Sequence, residues 1–167
     1  MVYIFLANGL EDIEAIATID ICRRAEIEVK TVSITGSLDV ETAHGIKLKA
    51  DMEFGFCDFS NATMLVLPGG LPGAQYLNDH EGLREVILSH YEKGTYLAAI
   101  CAAPSVVLSL LPNLEGKKMT CYDGFEDALQ AKGAEYVKEG VVVDGNMITG
   151  RGPGWAVEFG LTILAHV

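Results

Sequence analysis

Apolar, β-branched runs recur along the chain: VYIFLA at 2–7, EVKTVSI at 28–34, TMLVLP at 63–68 and TYLAAI at 95–100. Polar residues barely interrupt most of them, which suits strands covered on both faces. Helical spacing marks the intervening stretches LEDIEAIATIDICRRA at 10–25, HEGLREVILSHYEKG at 80–94 and APSVVLSLL at 103–111, and the last stretch, AVEFGLTILAHV at 156–167. That alternation predicts an α/β fold, a mostly parallel sheet with helices on both faces. GVVVDGNMITG at 140–150 carries Asp144-Gly145 between two apolar runs and reads as a tight hairpin feeding a late strand. No repeat, low-complexity tract or Pro/Gly/Ser linker is visible, so residues 1–167 read as one domain.

The breaks after the strands carry more information than the strands. Asn8-Gly9 follows the first run, Pro68-Gly69-Gly70 the third and Cys101 the fourth; Cys121-Tyr122 follows KKMT, and Gly150-Arg151-Gly152-Pro153-Gly154 follows MIT. Ligands of open α/β sheets bind outside the carboxyl ends of the strands, so these five breaks are candidates to line one crevice.

Cys101 lies between alanines, in AAICAAP, where a strand turns into a helix. Small neighbours suit a sharp turn, and Pro104 suits the first turn of a helix. A thiol there faces unpaired N–H groups and the positive end of a dipole, which predicts a lowered pKa and a site for an oxyanion. This is the arrangement of a nucleophile elbow, with cysteine in place of serine. The competing reading is a small buried hydrophobe. Cys22 reads as core and Cys57 as a loop thiol, while Cys121 is either structural or a resolving thiol for Cys101.

Composition narrows the function classes. Half of the 167 residues are hydrophobic, enough to fill a core without staples. The net charge of -11 repels phosphate backbones and anionic lipid, so neither nucleic acid nor a membrane is expected as a partner. The four cysteines form no CxxC pair and no Cys/His cluster, which argues against a metal centre and against disulfides. With no targeting signal in MVYIFLANGLEDIE, the expected location is cytoplasmic.

A nucleophile needs a proton acceptor. His80 and His90 fall on an amphipathic, charged helix and read as solvated; His44, in the loop TAHGIKL, can approach the crevice, but its spacing does not require it. Glu11 and Asp12 suit the N-terminus of the first helix. Glu14 differs, because Leu10, Ala17, Thr18 and Ile21 are its helical neighbours and turn it towards an apolar stripe. A buried carboxyl has a raised pKa and can share a proton with a nearby thiol.

GLEDIEAI, VLPGG, AAICAAP and TGRGPG together resemble the ThiJ/PfpI superfamily, within it the branch of the human parkinsonism-associated protein deglycase and its bacterial relatives. The likeness runs from near residue 7 to near residue 160. It implies a flavodoxin-like three-layer sandwich, a homodimer, no cofactor, Cys101 as the reactive thiol and Glu14 as its hydrogen-bonding carboxyl. It further implies an oxyanion site from Gly70, with Gly69 beside it, and Ala102, and a pocket flanked by Arg151, Gly152 and Pro153. Two positions depart from the family pattern. Ala102 stands where the protease-like branch has histidine, which counts against peptide or amide hydrolysis. Tyr122 stands where the nearest relatives often have histidine after the next strand; tyrosine donates a hydrogen bond but is no base at neutral pH.

Two activities follow from the resemblance. One is a glyoxalase III or deglycase, taking a small aldehyde or dicarbonyl such as methylglyoxal to lactate through Cys101 and Glu14. The other is a redox-sensing stress protein or chaperone whose Cys101 becomes a sulfinate. A third, thiamine or thiazole phosphate metabolism, lacks a phosphate-binding glycine loop.

Overall fold

The apolar runs pair with one another because neither of their faces tolerates water. A computed structural model describes residues 1–167. In chain order the elements are β1 (Val2–Leu6), α1 (Asp12–Arg24), β2 (Val29–Ser33), β3 (Asp39–Glu41), β4 (Lys47–Lys49), β5 (Met52–Glu53), β6 (Met64–Leu67), α2 (Gly73–Asp79), α3 (Glu81–Glu92) and β7 (Tyr96–Ile100). They continue with α4 (Ala103–Val106), β8 (Lys118–Met119), α5 (Asp127–Ala131), β9 (Glu135–Tyr136), β10 (Val141–Asp144), β11 (Met147–Gly150) and α6 (Ala156–Leu164). Seven strands form the central sheet in the order β10-β11-β7-β6-β1-β2-β5. Every pairing in it is parallel except the β10–β11 hairpin, which turns at Asp144-Gly145 as its sequence predicts.

β1 and β6 are buried at every residue, as expected of strands covered on both faces. Helices α1 and α6 pack on each other, with Gly160 so close to Ile21 that a Cβ would stand 2.7 Å from its Cδ1. Helix α2 packs with α3 and α4, and α3 lies against β7. The result is the mostly parallel, flavodoxin-like sandwich that the alternation and the resemblance imply.

The pattern misplaces some elements. The helix expected over 103–111 is one turn, α4, followed by a 3-10 helix at Leu108–Leu110. KKMT forms only β8, which pairs with β9 outside the central sheet. The antiparallel pair β3–β4 and helix α2 carry no strong periodicity, so the apolar pattern does not predict them. His90 is buried on α3 rather than solvated, with Nδ1 3.1 Å from Thr95 Oγ1, and His80 caps α3 by accepting from the Leu83 N–H.

The register brings the breaks together. Leu67 pairs with Ala99, and Ile100 with Gly150, so the chain leaves β6, β7 and β11 at one edge of the sheet. β1 ends beside them through its pairing with β6.

Candidate functional site

Cys101 has φ +65, a left-handed conformation that a residue with a side chain rarely adopts. It occupies the turn between β7 and α4, its N–H donating to the Gly150 carbonyl at 2.9 Å and its carbonyl accepting from the Tyr122 N–H at 2.8 Å. This bond carries Tyr122 back to the crevice although β8 lies outside the central sheet. Cys101 is only 7% exposed, which restricts access to its thiol to small reagents. It lines neither of the two concavities of about 430 Å³ beside Cys57 and His90 and over Ile13, Ile16 and Ile46.

Glu14 comes from the first turn of α1 and is fully buried, as its apolar stripe predicts. Its Oε2 accepts from the Gly69 N–H at 2.9 Å, and its Oε1 is buried without a hydrogen-bond partner. Gly69 is wedged between the pair: a Cβ there would lie 2.5 Å from Cys101 Cβ and 2.7 Å from Glu14 Oε2. Gly70, at φ +87, passes over the N-terminal loop so closely that a Cβ would come within 2.4 Å of the Glu11 nitrogen.

Burial pushes the Glu14 carboxyl up to about 7, with the charge of Glu11 adding to it and the contacts with Cys101 and the Gly69 N–H opposing it. Burial, and after it the charge of Glu14, also push the Cys101 thiol up, while the nearby N–H groups of Gly70 and Ala102 pull the other way. The lowered thiol pKa expected from the turn is therefore corrected. Helix α4 is a single turn with little dipole to offer, and desolvation outweighs the two N–H groups. The pair titrates as a unit, and a thiolate forms most readily when its proton passes to Glu14.

Arg151 does not reach towards the thiol as a free cation. Its Nε and Nη2 donate to Asp123 at 2.6 and 2.8 Å, and its guanidinium lies 4.7 Å over the Trp155 ring. Gly152 is extended and lies under the Tyr122 ring, with 3.1 Å from its Cβ position to Tyr122 Cδ2. Pro153 starts a 3-10 helix, and Tyr122 itself is half-exposed. Cys121 is fully buried, and burial raises its thiol pKa; Cys22 is core as expected.

One polar network has no clear signal in the sequence. Asp12 is buried, accepts from Thr42 Oγ1 at 2.5 Å and has His44 Nδ1 2.8 Å from its Oδ1, which ties α1 to the β3–β4 turn. His44 thus pairs with Asp12 and not with Cys101. Glu11 lies close to both. Its carboxylate caps α1 through the Glu14 N–H, in keeping with the N-terminal role read for it.

The model of the DJ-1/PfpI family matches residues 1–166. Protein DJ-1 homolog A of Arabidopsis thaliana is 38% identical over 99% of this chain, which spans 42% of that protein's length. The glutathione-independent glyoxalase DJR-1.2 of Caenorhabditis elegans is 30% identical over 92% of this chain and 81% of its own. Among solved structures, oxidized Toxoplasma gondii DJ-1 superposes with a TM-score of 0.91 at 33% identity, covering 98% of this chain and 88% of that one.

Proposed function

Because the chain belongs to the DJ-1/PfpI family, we propose that it is a stress-protective enzyme that uses Cys101, without a cofactor, on small reactive dicarbonyls, converting methylglyoxal to lactate. The observation that carries this reading is the buried Glu14 carboxyl beside the thiol, with a pKa raised to about 7 and one oxygen unpartnered. A buried, unsatisfied acceptor is costly, and a proton taken up there relieves that cost.

The steps balance without an external oxidant. Glu14 accepts the thiol proton as sulfur bonds to the aldehyde carbon, and the new oxyanion is held by the N–H groups of Gly70 and Ala102 until Glu14 returns that proton to it, giving a hemithioacetal. Glu14 then removes the proton from the former aldehyde carbon and delivers it to the neighbouring carbon, while the hydroxyl proton passes to the former ketone oxygen, leaving lactate as a thioester on Cys101. Water releases lactate and restores the thiol. Tyr122 takes the rim position, where its hydroxyl donates to a substrate oxygen. Restricted access to the thiol favours dicarbonyls of two or three carbons. Lactate formation from methylglyoxal by wild type, Cys101→Ser and Glu14→Gln tests the reading; equal rates in all three reject it.

The same unpartnered oxygen favours a second role, redox sensing. Two equivalents of peroxide convert the thiol to a sulfinate and are reduced to water, and a protonated Glu14 would donate to a sulfinate oxygen. Oxidation spread evenly over all four cysteines after mild peroxide would count against it.

The working form is proposed as a cytoplasmic homodimer of one ThiJ/PfpI-like domain, residues 1–167. Ile13 and Ile16 on α1 and Val157 and Leu161 on α6 are exposed on two helices packed together, which supports a contact there. No helix is long and apolar enough to cross a membrane.

A further inference from the structure

A closed ring of contacts surrounds Cys101. Its N–H is held by the carbonyl of Gly150, the residue before Arg151, and its carbonyl by the N–H of Tyr122, the residue before Asp123. Arg151 and Asp123 then close the ring with two parallel hydrogen bonds at 2.6 and 2.8 Å. The loops after β8 and β11 thus hold the left-handed turn from opposite sides and are locked to each other one residue away from it.

Arg151 is committed to this lock. Two of its nitrogens are on Asp123, its guanidinium stacks on Trp155, and its backbone N–H donates to the Gly140 carbonyl at 2.9 Å. Trp155 lies in turn so close over Gly140 that no Cβ fits there. Asp123 also has Lys138 Nζ at 3.8 Å. An ion pair with one partner half in water contributes little to global stability, but its fork geometry fixes direction.

We infer that Asp123 and Arg151 are a pair of positioning residues: their bidentate bond holds the Cys101 turn and the Tyr122 ring in place across the mouth of the site, and neither residue binds substrate. The inference rests on the reading of Cys101 as the reacting thiol. It assigns Arg151 a different task from the pocket role that the resemblance suggests.

The test compares Asp123→Ala, Arg151→Lys and the double variant with wild type in two assays: lactate formation from methylglyoxal, and alkylation of Cys101 by N-ethylmaleimide followed by peptide mass mapping. Misplacing a reacting group typically costs a large factor, so each single variant is expected to lose about tenfold in kcat/KM. Alkylation by the bulky maleimide is expected to rise by a similar factor as Tyr122 is released. Thermal midpoints should stay close to wild type, and the double variant should match the single ones to within about twofold, because one coupled contact is lost once. Additive effects in the double variant, or alkylation unchanged in both single variants, overturn the inference. Should Asp123→Ala fail to fold, Asp123→Asn keeps the side-chain shape and is read in its place. A wild type that makes no lactate rejects the dicarbonyl reading alone, since the alkylation rates test the lock by themselves.

Discussion

Glu14 and Cys101 face each other across Gly69, whose N–H is bonded to the Glu14 carboxyl and whose missing Cβ makes room for both side chains. Exclusion from water pushes both proton affinities up, while the closeness of the pair raises that of Cys101 further and opposes the rise at Glu14.

Glu14 ties stability to pH. Its folded pKa, about 7, stands above its ordinary value of 4.5, so the folded state holds a proton that the unfolded chain has already released. That contribution is complete below the ordinary value and is lost as pH rises through the window up to the folded value, by an amount on the order of 3 kcal/mol. Glu14→Gln carries no such proton. Urea denaturation should therefore show the variant gaining on wild type as pH rises across this window, with a constant difference on either side of it.

Gly69→Ala should damage the site and the fold together. The added Cβ would meet Cys101 Cβ at 2.5 Å and the Ile100 carbonyl oxygen at 2.7 Å, and backbone gives way poorly. Overpacking of this kind costs about 1–3 kcal/mol, readable from the shift in the urea midpoint.

At position 101 the usual ranking of alanine and glycine should reverse. Alanine normally exceeds glycine in stability within regular elements, but φ +65 penalises any Cβ. Cys101→Gly should be more stable than Cys101→Ala by about 1 kcal/mol, measured by chemical denaturation of the two variants side by side.

His90 should give the opposite pH slope from Glu14. Burial first, and the charge of Lys93 second, hold its imidazole below the ordinary value of 6.5. Stability is fully present above that value and falls as pH drops towards the folded pKa, because the unfolded chain takes up the proton first. His90→Asn should flatten the loss of thermal midpoint as pH falls below 6.5.

Much of the site was legible because its signals are local. The apolar neighbours of Glu14 on α1 foretell its burial, and the small residues around Cys101 foretell a tight turn. The thiol's proton affinity is not legible in the sequence, because it depends on how long α4 is and how deeply the sulfur lies, and both are tertiary outcomes. His90 was read as solvated since the charges on α3 outweigh its position on the inner face, which only the packing against β7 reveals. Asp123 has no local signal, because its partner, Arg151, is 28 residues away along the chain and meets it only through the fold.

The most direct test is to mix the protein with methylglyoxal, quench with acid at successive times, and map the bound mass by peptide while lactate is assayed in parallel. Wild type should pass through an adduct confined to Cys101 and release lactate, Glu14→Gln should accumulate that adduct with little lactate, and Cys101→Ser should show neither. Lactate from Cys101→Ser at the wild-type rate, or adducts spread over other residues while Cys101 stays free, would contradict the account.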